Sequence, residues 1–208
     1  MNKTILVSGF APFGGESVNP SCEAVRRLPD EIGGCRLIKT ELPVAFERAA
    51  EILLEMIREI GPDAVLSVGQ AGGRKGVTPE LIAVNVQNGS ITDNDGRQPA
   101  WEPILAGGPA GIFSRLPVHE MVRAMKEAGI HASLSLSAGA YVCNDLMYRV
   151  LAATEESALP VGFVHVPFLP EQTADKPGEA SMPLEQIVRA LELCLSVLAE
   201  AVDTQNRS

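Results

Sequence analysis

Strand-like and helix-like stretches alternate along this chain, and that alternation restricts the fold more than any single motif. Ala64-Val65-Leu66-Ser67-Val68-Gly69 is a near-continuous apolar run closed by glycine, the pattern of a strand buried on both faces. Comparable runs cover Thr4–Ser8, Arg36–Leu42 and Val161–Val166, while Leu81–Val86 alternates as a further strand. Helical patterns lie between them. Asn19-Pro20-Ser21 starts one that runs through Arg27, with Asn19 as N-cap and Pro20 at the first helical position, where its missing N–H costs nothing. Ala45–Ile60 repeats Ile52, Met56 and Ile60 at i+4 and is stopped by Gly61-Pro62. Val118–Ala128 (closed by Gly129), Asn144–Ala153 and Leu184–Val202 complete the helices, and Ser133–Ser137 is extended. The expectation is an α/β layered fold, with a largely parallel sheet and helices on both faces. Binding sites in such sheets sit in loops after strand C-termini. Gly9-Phe10, Gly69-Gln70, Ala138-Gly139 and His165-Val166 all fall at or near such ends.

The 208 residues suit one domain spanning 1–208, large enough for a sizeable core. A formal net charge of −9 argues against nucleic acid or an anionic membrane as partner, because both require a basic face. The first residues lack a long apolar segment with a small-residue cleavage site, and no run approaches the roughly 20 apolar residues of a membrane span. A cytoplasmic location is therefore expected. Cys22, Cys35, Cys143 and Cys194 are widely spaced, without zinc-type pairing, and read as free thiols with no metal site. The longest irregular stretch runs from about Asn88 to Gly111, and a loop of that length is usually functional or packs on a partner.

Chemistry concentrates at Cys143, which stands where an extended segment turns into a helix. A helix start carries partial positive charge and free N–H groups, both of which favour a thiolate. A cysteine nucleophile also needs a base, and His165, one of three histidines, ends an apolar strand. The base in turn needs an orienting group, for which Glu80, in Thr78-Pro79-Glu80 after a glycine-rich loop, is a candidate. Bland readings stand beside this one: Cys143 as a small buried hydrophobe, His165 as a core histidine bonded to backbone. Gly14-Gly15 and Gly69-Gln70-Ala71-Gly72-Gly73-Arg74 let backbone approach a ligand, but neither a GxGxxG nor a Walker lysine is present, so tight turns are the simpler reading. Phe10 and Phe13 together would clamp a flat ring, or simply pack in the core.

Several long segments, in order, resemble the pyroglutamyl peptidase I (pyrrolidone carboxyl peptidase) family of cysteine peptidases. They are Gly9-Phe10-Ala11-Pro12-Phe13-Gly14-Gly15-Glu16 with Val18-Asn19-Pro20-Ser21; Val68-Gly69-Gln70-Ala71-Gly72-Gly73-Arg74; Thr78-Pro79-Glu80; and Gly107-Gly108-Pro109-Ala110. Ser137-Ala138-Gly139 with Val142-Cys143-Asn144, and His165-Val166-Pro167 with Pro170-Glu171-Gln172, complete the match over nearly the whole chain. The resemblance implies a single three-layer α/β/α sandwich around a twisted sheet. It also implies removal of an N-terminal pyroglutamyl residue from peptides, no cofactor, and a homotetramer. On it Cys143 is the nucleophile, His165 the general base and acid, and Glu80 the orienting carboxylate. Phe10 and Phe13 would hold the lactam ring, with Asn19 and the backbone near Gln70 and Ala71 as polar contacts.

One segment departs from the family pattern. Many relatives read Asp-Ala-Arg-Ile-Pro-Asp-Asn where this chain has Asn88-Gly89-Ser90-Ile91-Thr92-Asp93-Asn94, so the family arginine is Ser90 here. Losing an oxyanion donor costs about 10²–10³ in rate. A slower enzyme, a changed substrate preference, or replacement by Arg97 or Arg74 would each follow from this. So would a non-catalytic relative that binds pyroglutamyl or related lactams. A nucleoside phosphorylase-like transferase is compatible with the layers but has no phosphate motif behind it.

Overall fold

The computed structural model describes residues 3–157 and 159–205. Strands β1 (Lys3–Phe10), β2 (Glu31–Ile32), β3 (Cys35–Leu42), β4 (Ala64–Gln70), β5 (Thr78–Pro79) and β8 (Val161–Val166) form one sheet in the order β2-β3-β1-β4-β8-β5. The four central strands run parallel, and β2 and β5 are short antiparallel edges. Strands β6 (Ile82–Val84) and β7 (Gly111–Phe113) make a separate antiparallel pair. Helices α1 (Pro20–Arg27), α3 (Val118–Glu127) and α5 (Leu184–Gln205) cover one face; α2 (Arg48–Ile60) and α4 (Val142–Ala153) cover the other.

Side-chain alternation divides the core accordingly. Ile5, Val7, Leu66, Val68, Val164 and Val166 pack under α1, α3 and α5, whereas Leu6, Phe10, Val65, Val161 and Phe163 pack under α2 and α4. Gly69 and His165 are in register across β4 and β8 and share the parity of Val65 and Phe163. Both therefore lie on the α4 face. The order reverses between β1 and β4, the crevice position expected for a ligand in an open α/β sheet.

Local chemistry accounts for the element ends. Asn19 caps α1 by accepting the Ser21 N–H at 3.1 Å, with Pro20 next, as its sequence requires. Gly61 ends α2 in the left-handed conformation, φ 59°. Several expectations shift. Helix α2 begins at Arg48 rather than Ala45, because Glu47 itself has φ 64° and cannot continue a helix. Leu81–Val86 contracts to Ile82–Val84 and joins β7, not the main sheet. Ser133–Ser137 makes only a bridge between Ser135 and Glu80. Among the described residues, no helix is long and apolar enough to cross a membrane.

Candidate active site

The C-terminal ends of β1, β4 and β8 open onto a cleft of about 280 Å³ lined in part by Phe10, Gln70, Cys143 and His165. Its apolar lining comes from Phe10, Phe13, Val44 and Tyr141; the Gln70–Gly72 turn, Arg74, Ala138 and Gly139 complete it. Among the described residues, no Asp or Glu lines it.

Cys143 is the second residue of α4, which starts two residues earlier than the sequence pattern suggests. The helix start is pinned by its neighbour Asn144. Asn144 Oδ1 accepts the Val84 N–H, and Nδ2 donates to the carbonyls of Val84 and Val86, all at 2.9 Å. Tyr141, the N-cap residue, gives no side-chain cap; its carbonyl accepts the Asn144 and Asp145 N–H groups at 3.1 Å, which leaves those of Val142 and Cys143 uncapped.

The strand β8 carries His165 to the cleft, and β5 pairs Thr78 opposite it. The next residue but one, Glu80, is fully buried, with its N–H on the Phe163 carbonyl at 2.9 Å. His165 Nδ1 lies 2.7 Å from Glu80 Oε1. Arg74 Nη1 reaches the same oxygen at 2.6 Å and also the Thr78 hydroxyl, while Nη2 donates to the Ser137 carbonyl at 3.0 Å. Glu80 Oε2 is buried with no hydrogen-bond partner among the described residues.

These contacts set the charge states. Burial opposes ionisation of Glu80, but His165, Ser135 and Arg74 together hold its carboxyl below the ordinary value. Burial, with the Arg74 charge beside it, lowers the His165 pKa below the ordinary value against the pull of Glu80, so the imidazole is neutral near pH 7. With Glu80 ionised, Nδ1 carries the proton and Nε2 is left as the basic nitrogen. Burial, reinforced by the charge of Glu80, pushes the Cys143 thiol up to about 12, against Arg74 and its own backbone N–H. The thiolate expected from a helix start is therefore not favoured: desolvation and a nearby carboxylate outweigh the helix end. The arrangement holds a neutral thiol and a neutral, oriented imidazole in the lining of one cleft.

Of the residues assigned from sequence, Phe10, Phe13, Asn19, Gln70, Ala71, Cys143 and His165 all line the cleft, and Glu80 stands behind His165. The groups they leave open differ. Phe10 packs on Phe163 (centroids 6.2 Å apart), and Phe13 faces Tyr141 (6.1 Å). Asn19 commits Oδ1 to Ser21 and Nδ2 to the Ala11 carbonyl at 3.0 Å, leaving one N–H. Gln70 Oε1 accepts from Gln172 Nε2 at 2.9 Å. The Ala71 N–H is already donated to the Val166 carbonyl, so only its carbonyl is open. Ser90 is exposed and does not line the cleft. Arg97 pairs with Glu47 at 2.8 Å, away from it, whereas Arg74 lines it.

Sequence reasoning missed Val44 and Tyr141. Val44 follows β3, so the rule of strand C-termini would have found it. Tyr141 immediately precedes α4; its hydroxyl donates to the Thr92 carbonyl at 3.1 Å, and its ring meets Phe46 edge-on at 5.2 Å.

A thiol, an imidazole and a buried carboxylate at the strand ends of an α/β sandwich define the class of thiol-dependent acyl-transfer hydrolases. The pyroglutamyl peptidase family model matches residues 3–201, and the chain belongs to that family. It is 48% identical to the pyrrolidone-carboxylate peptidase of Lactobacillus johnsonii, covering 94% of this chain and 92% of the relative. It is also 48% identical to that of Thermococcus onnurineus, covering 95% and 99%. The solved pyroglutamyl peptidase I of Bacillus amyloliquefaciens superposes with TM-score 0.92 at 39% identity, over 95% of this chain and 97% of that one. The pyrrolidone carboxyl peptidase of Thermococcus litoralis gives TM-score 0.93 at 34% identity, over 98% and 96%.

Proposed function

We propose that this chain hydrolyses the bond after an N-terminal pyroglutamyl residue, with Cys143 as nucleophile, His165 as base and acid, and Glu80 as orienting carboxylate. The observation that carries the reading is the 2.7 Å contact between His165 Nδ1 and Glu80 Oε1 behind an apolar cleft that also holds Cys143. Glu80 keeps the proton on Nδ1, so Nε2 accepts the Cys143 proton as Sγ attacks the scissile carbonyl. The carbonyl π electrons move to oxygen, which free N–H groups at the start of α4 stabilise. Collapse breaks the C–N bond, and Nε2–H protonates the departing amine. Water, deprotonated by Nε2, then attacks the thioester, and Sγ leaves with the proton returned to it.

Substrate choice follows from the lining. The pyroglutamyl ring is flat and uncharged, which suits Phe10, Phe13, Val44 and Tyr141 with the open carbonyl of Ala71, Gln70 and the spare N–H of Asn19 as polar contacts. An ordinary amino terminus would bring an ammonium into a cleft with no carboxylate on its wall, and burying that unpaired costs several kcal/mol. The homotetramer that the family resemblance implies would give cover to Trp101, Phe113 and Leu136, which are 75%, 64% and 69% exposed, and light scattering checks it.

The test is fluorophore release from a pyroglutamyl amide by wild type and Cys143→Ser. Release by wild type alone supports the reaction and the nucleophile. Lactam-induced thermal stabilisation without turnover in wild type would support the non-catalytic binder instead, with Ser90 as its cause.

A further inference from the structure

Beside the cleft lies a second depression of about 360 Å³, between the 74–78 loop and the 131–135 segment. Arg74 lines both cavities and is the wall between them. The second one differs in chemistry from the first. Arg74, Lys75 and His131 supply its cationic and imidazole groups, Thr78, Ser133 and Ser135 its hydroxyls, and among the described residues no carboxylate lines it. In a chain of net charge −9, such a concentration is a local exception.

Lys75 and His131 are available to a ligand, whereas the Thr78 hydroxyl is buried on Arg74 and the Ser135 hydroxyl is engaged with the Ser137 backbone. Among the described residues neither Lys75 nor His131 has an ion-pair partner, and both are exposed. Arg74 is held in place by Glu80, Thr78 and Ser137, which fixes the guanidinium at the junction. Glu179, beside Gly73, stands outside the lining.

Resting on the proposed function, we infer that this depression receives the leaving side of the substrate and favours a carboxylate there. With the lactam against Phe10, Phe13, Val44 and Tyr141, the chain beyond the scissile bond leaves by way of Arg74, the side chain that the cleft and the depression share. The next surface it meets carries positive charge and hydroxyl donors. An extended peptide advances about 3.4 Å per residue, so the first few leaving residues fall in this region. The carboxylate has two sources, the free C-terminus of a short peptide or an acidic side chain early in a longer one.

Four peptides distinguish the sources: pyroglutamyl-Ala-Ala with an amidated C-terminus, the same with a free C-terminus, and amidated pyroglutamyl-Ala-Glu and pyroglutamyl-Ala-Lys. Each exposed charge pair is expected to change kcat/KM by about twofold to fivefold. Either carboxylate peptide should exceed the neutral one, and the lysine peptide should fall below it. Which of the two carboxylate peptides leads identifies the source. The spread should collapse at about 0.5 M salt, where the Debye length is only a few ångströms, and its order should invert in Lys75→Glu. Each comparison is a ratio within one protein, so general loss of activity does not mimic it. Equal rates for all four peptides, or a spread that survives both salt and Lys75→Glu, would overturn the inference. Failure of wild type to cleave even the neutral peptide would instead overturn the proposed function on which it rests.

Discussion

A methyl group placed on Gly69 would lie 2.9 Å from Cys143 Sγ and 2.7 Å from the Phe163 ring. Gly69 is also the cross-strand partner of His165, so the thiol sits in a hollow above the sheet at the very register position that carries the imidazole. The missing side chain is what lets α4 approach β4 and β8 at this point.

Gly69→Ala should therefore displace the thiol. A shift of about 1 Å at a reacting atom costs on the order of 10²-fold in rate. We expect kcat/KM on a pyroglutamyl amide to fall by about that factor while circular dichroism still reports a folded protein. Near wild-type turnover would mean that Sγ does not attack from this position.

The pH dependence follows from the directions of the two shifts. Activity requires deprotonated His165, whose pKa lies below the ordinary 6.5, so kcat/KM should rise through a midpoint under 6.5 and then level. The Cys143 thiol at about 12 leaves no descending limb near neutrality from that group. A profile with its acid limb above 6.5 contradicts this account.

Two substitutions should move that limb in opposite directions. Glu80 raises the His165 pKa, so Glu80→Gln should lower the midpoint further and reduce kcat by about 10²–10⁴ through loss of tautomer control. Arg74 lowers the His165 pKa, so Arg74→Ala should raise the midpoint. It also removes hydrogen bonds to Glu80 and Ser137, and should reduce stability by about 1–3 kcal/mol in urea denaturation. Shifts of the same sign in both variants would refute the shared-oxygen geometry.

Asp93 ties the 93–97 turn to the start of α2. Its Oδ2 accepts the Phe46 N–H at 2.8 Å, and Oδ1 accepts those of Asp95 at 2.9 Å and Arg97 at 2.8 Å. Asp93→Ala leaves buried donors unsatisfied, and should cost about 3 kcal/mol of unfolding free energy. KM should rise as well, since Tyr141, which lines the cleft, donates to Thr92 in the same loop. Unchanged stability and KM would show that this loop does not shape the cleft.

What was legible in the sequence was local or period-bound. The Asn19-Pro20 start of α1 follows from capping chemistry, and Val161–Val166 is a strand by composition, so His165 had to emerge at a strand end. The Glu80 position rested on motif alone. It is delivered by β5, two residues long and antiparallel, which no period can reveal. Leu81–Val86 showed strand alternation, but alternation does not name the sheet a strand joins, and β6 found its partner in Gly111–Phe113 across the long loop. The thiolate expectation failed because it weighed only the helix end. Burial of Cys143 and the Glu80 charge belong to tertiary structure. Glu47 shortened α2 through an unusual φ, held by Arg97 at 2.8 Å and Arg149 at 3.3 Å.

The four free thiols lie at unequal depth: Cys22, Cys35 and Cys194 are buried, and only Cys143 meets solvent part-way. The Cys22 thiol, on Glu41 at 2.8 Å, and Cys194 are also pushed up to about 12. To a dissolved oxidant the protein has one cysteine. Storage in air should then silence turnover slowly while leaving the core intact, so that an aged sample elutes and melts like a fresh one. Absorbance would overstate its working sites, and a brief treatment with reductant would restore the sulfenic and mixed-disulfide fraction. Counting competent molecules in any preparation therefore calls for titrating this thiol, not for weighing folded protein.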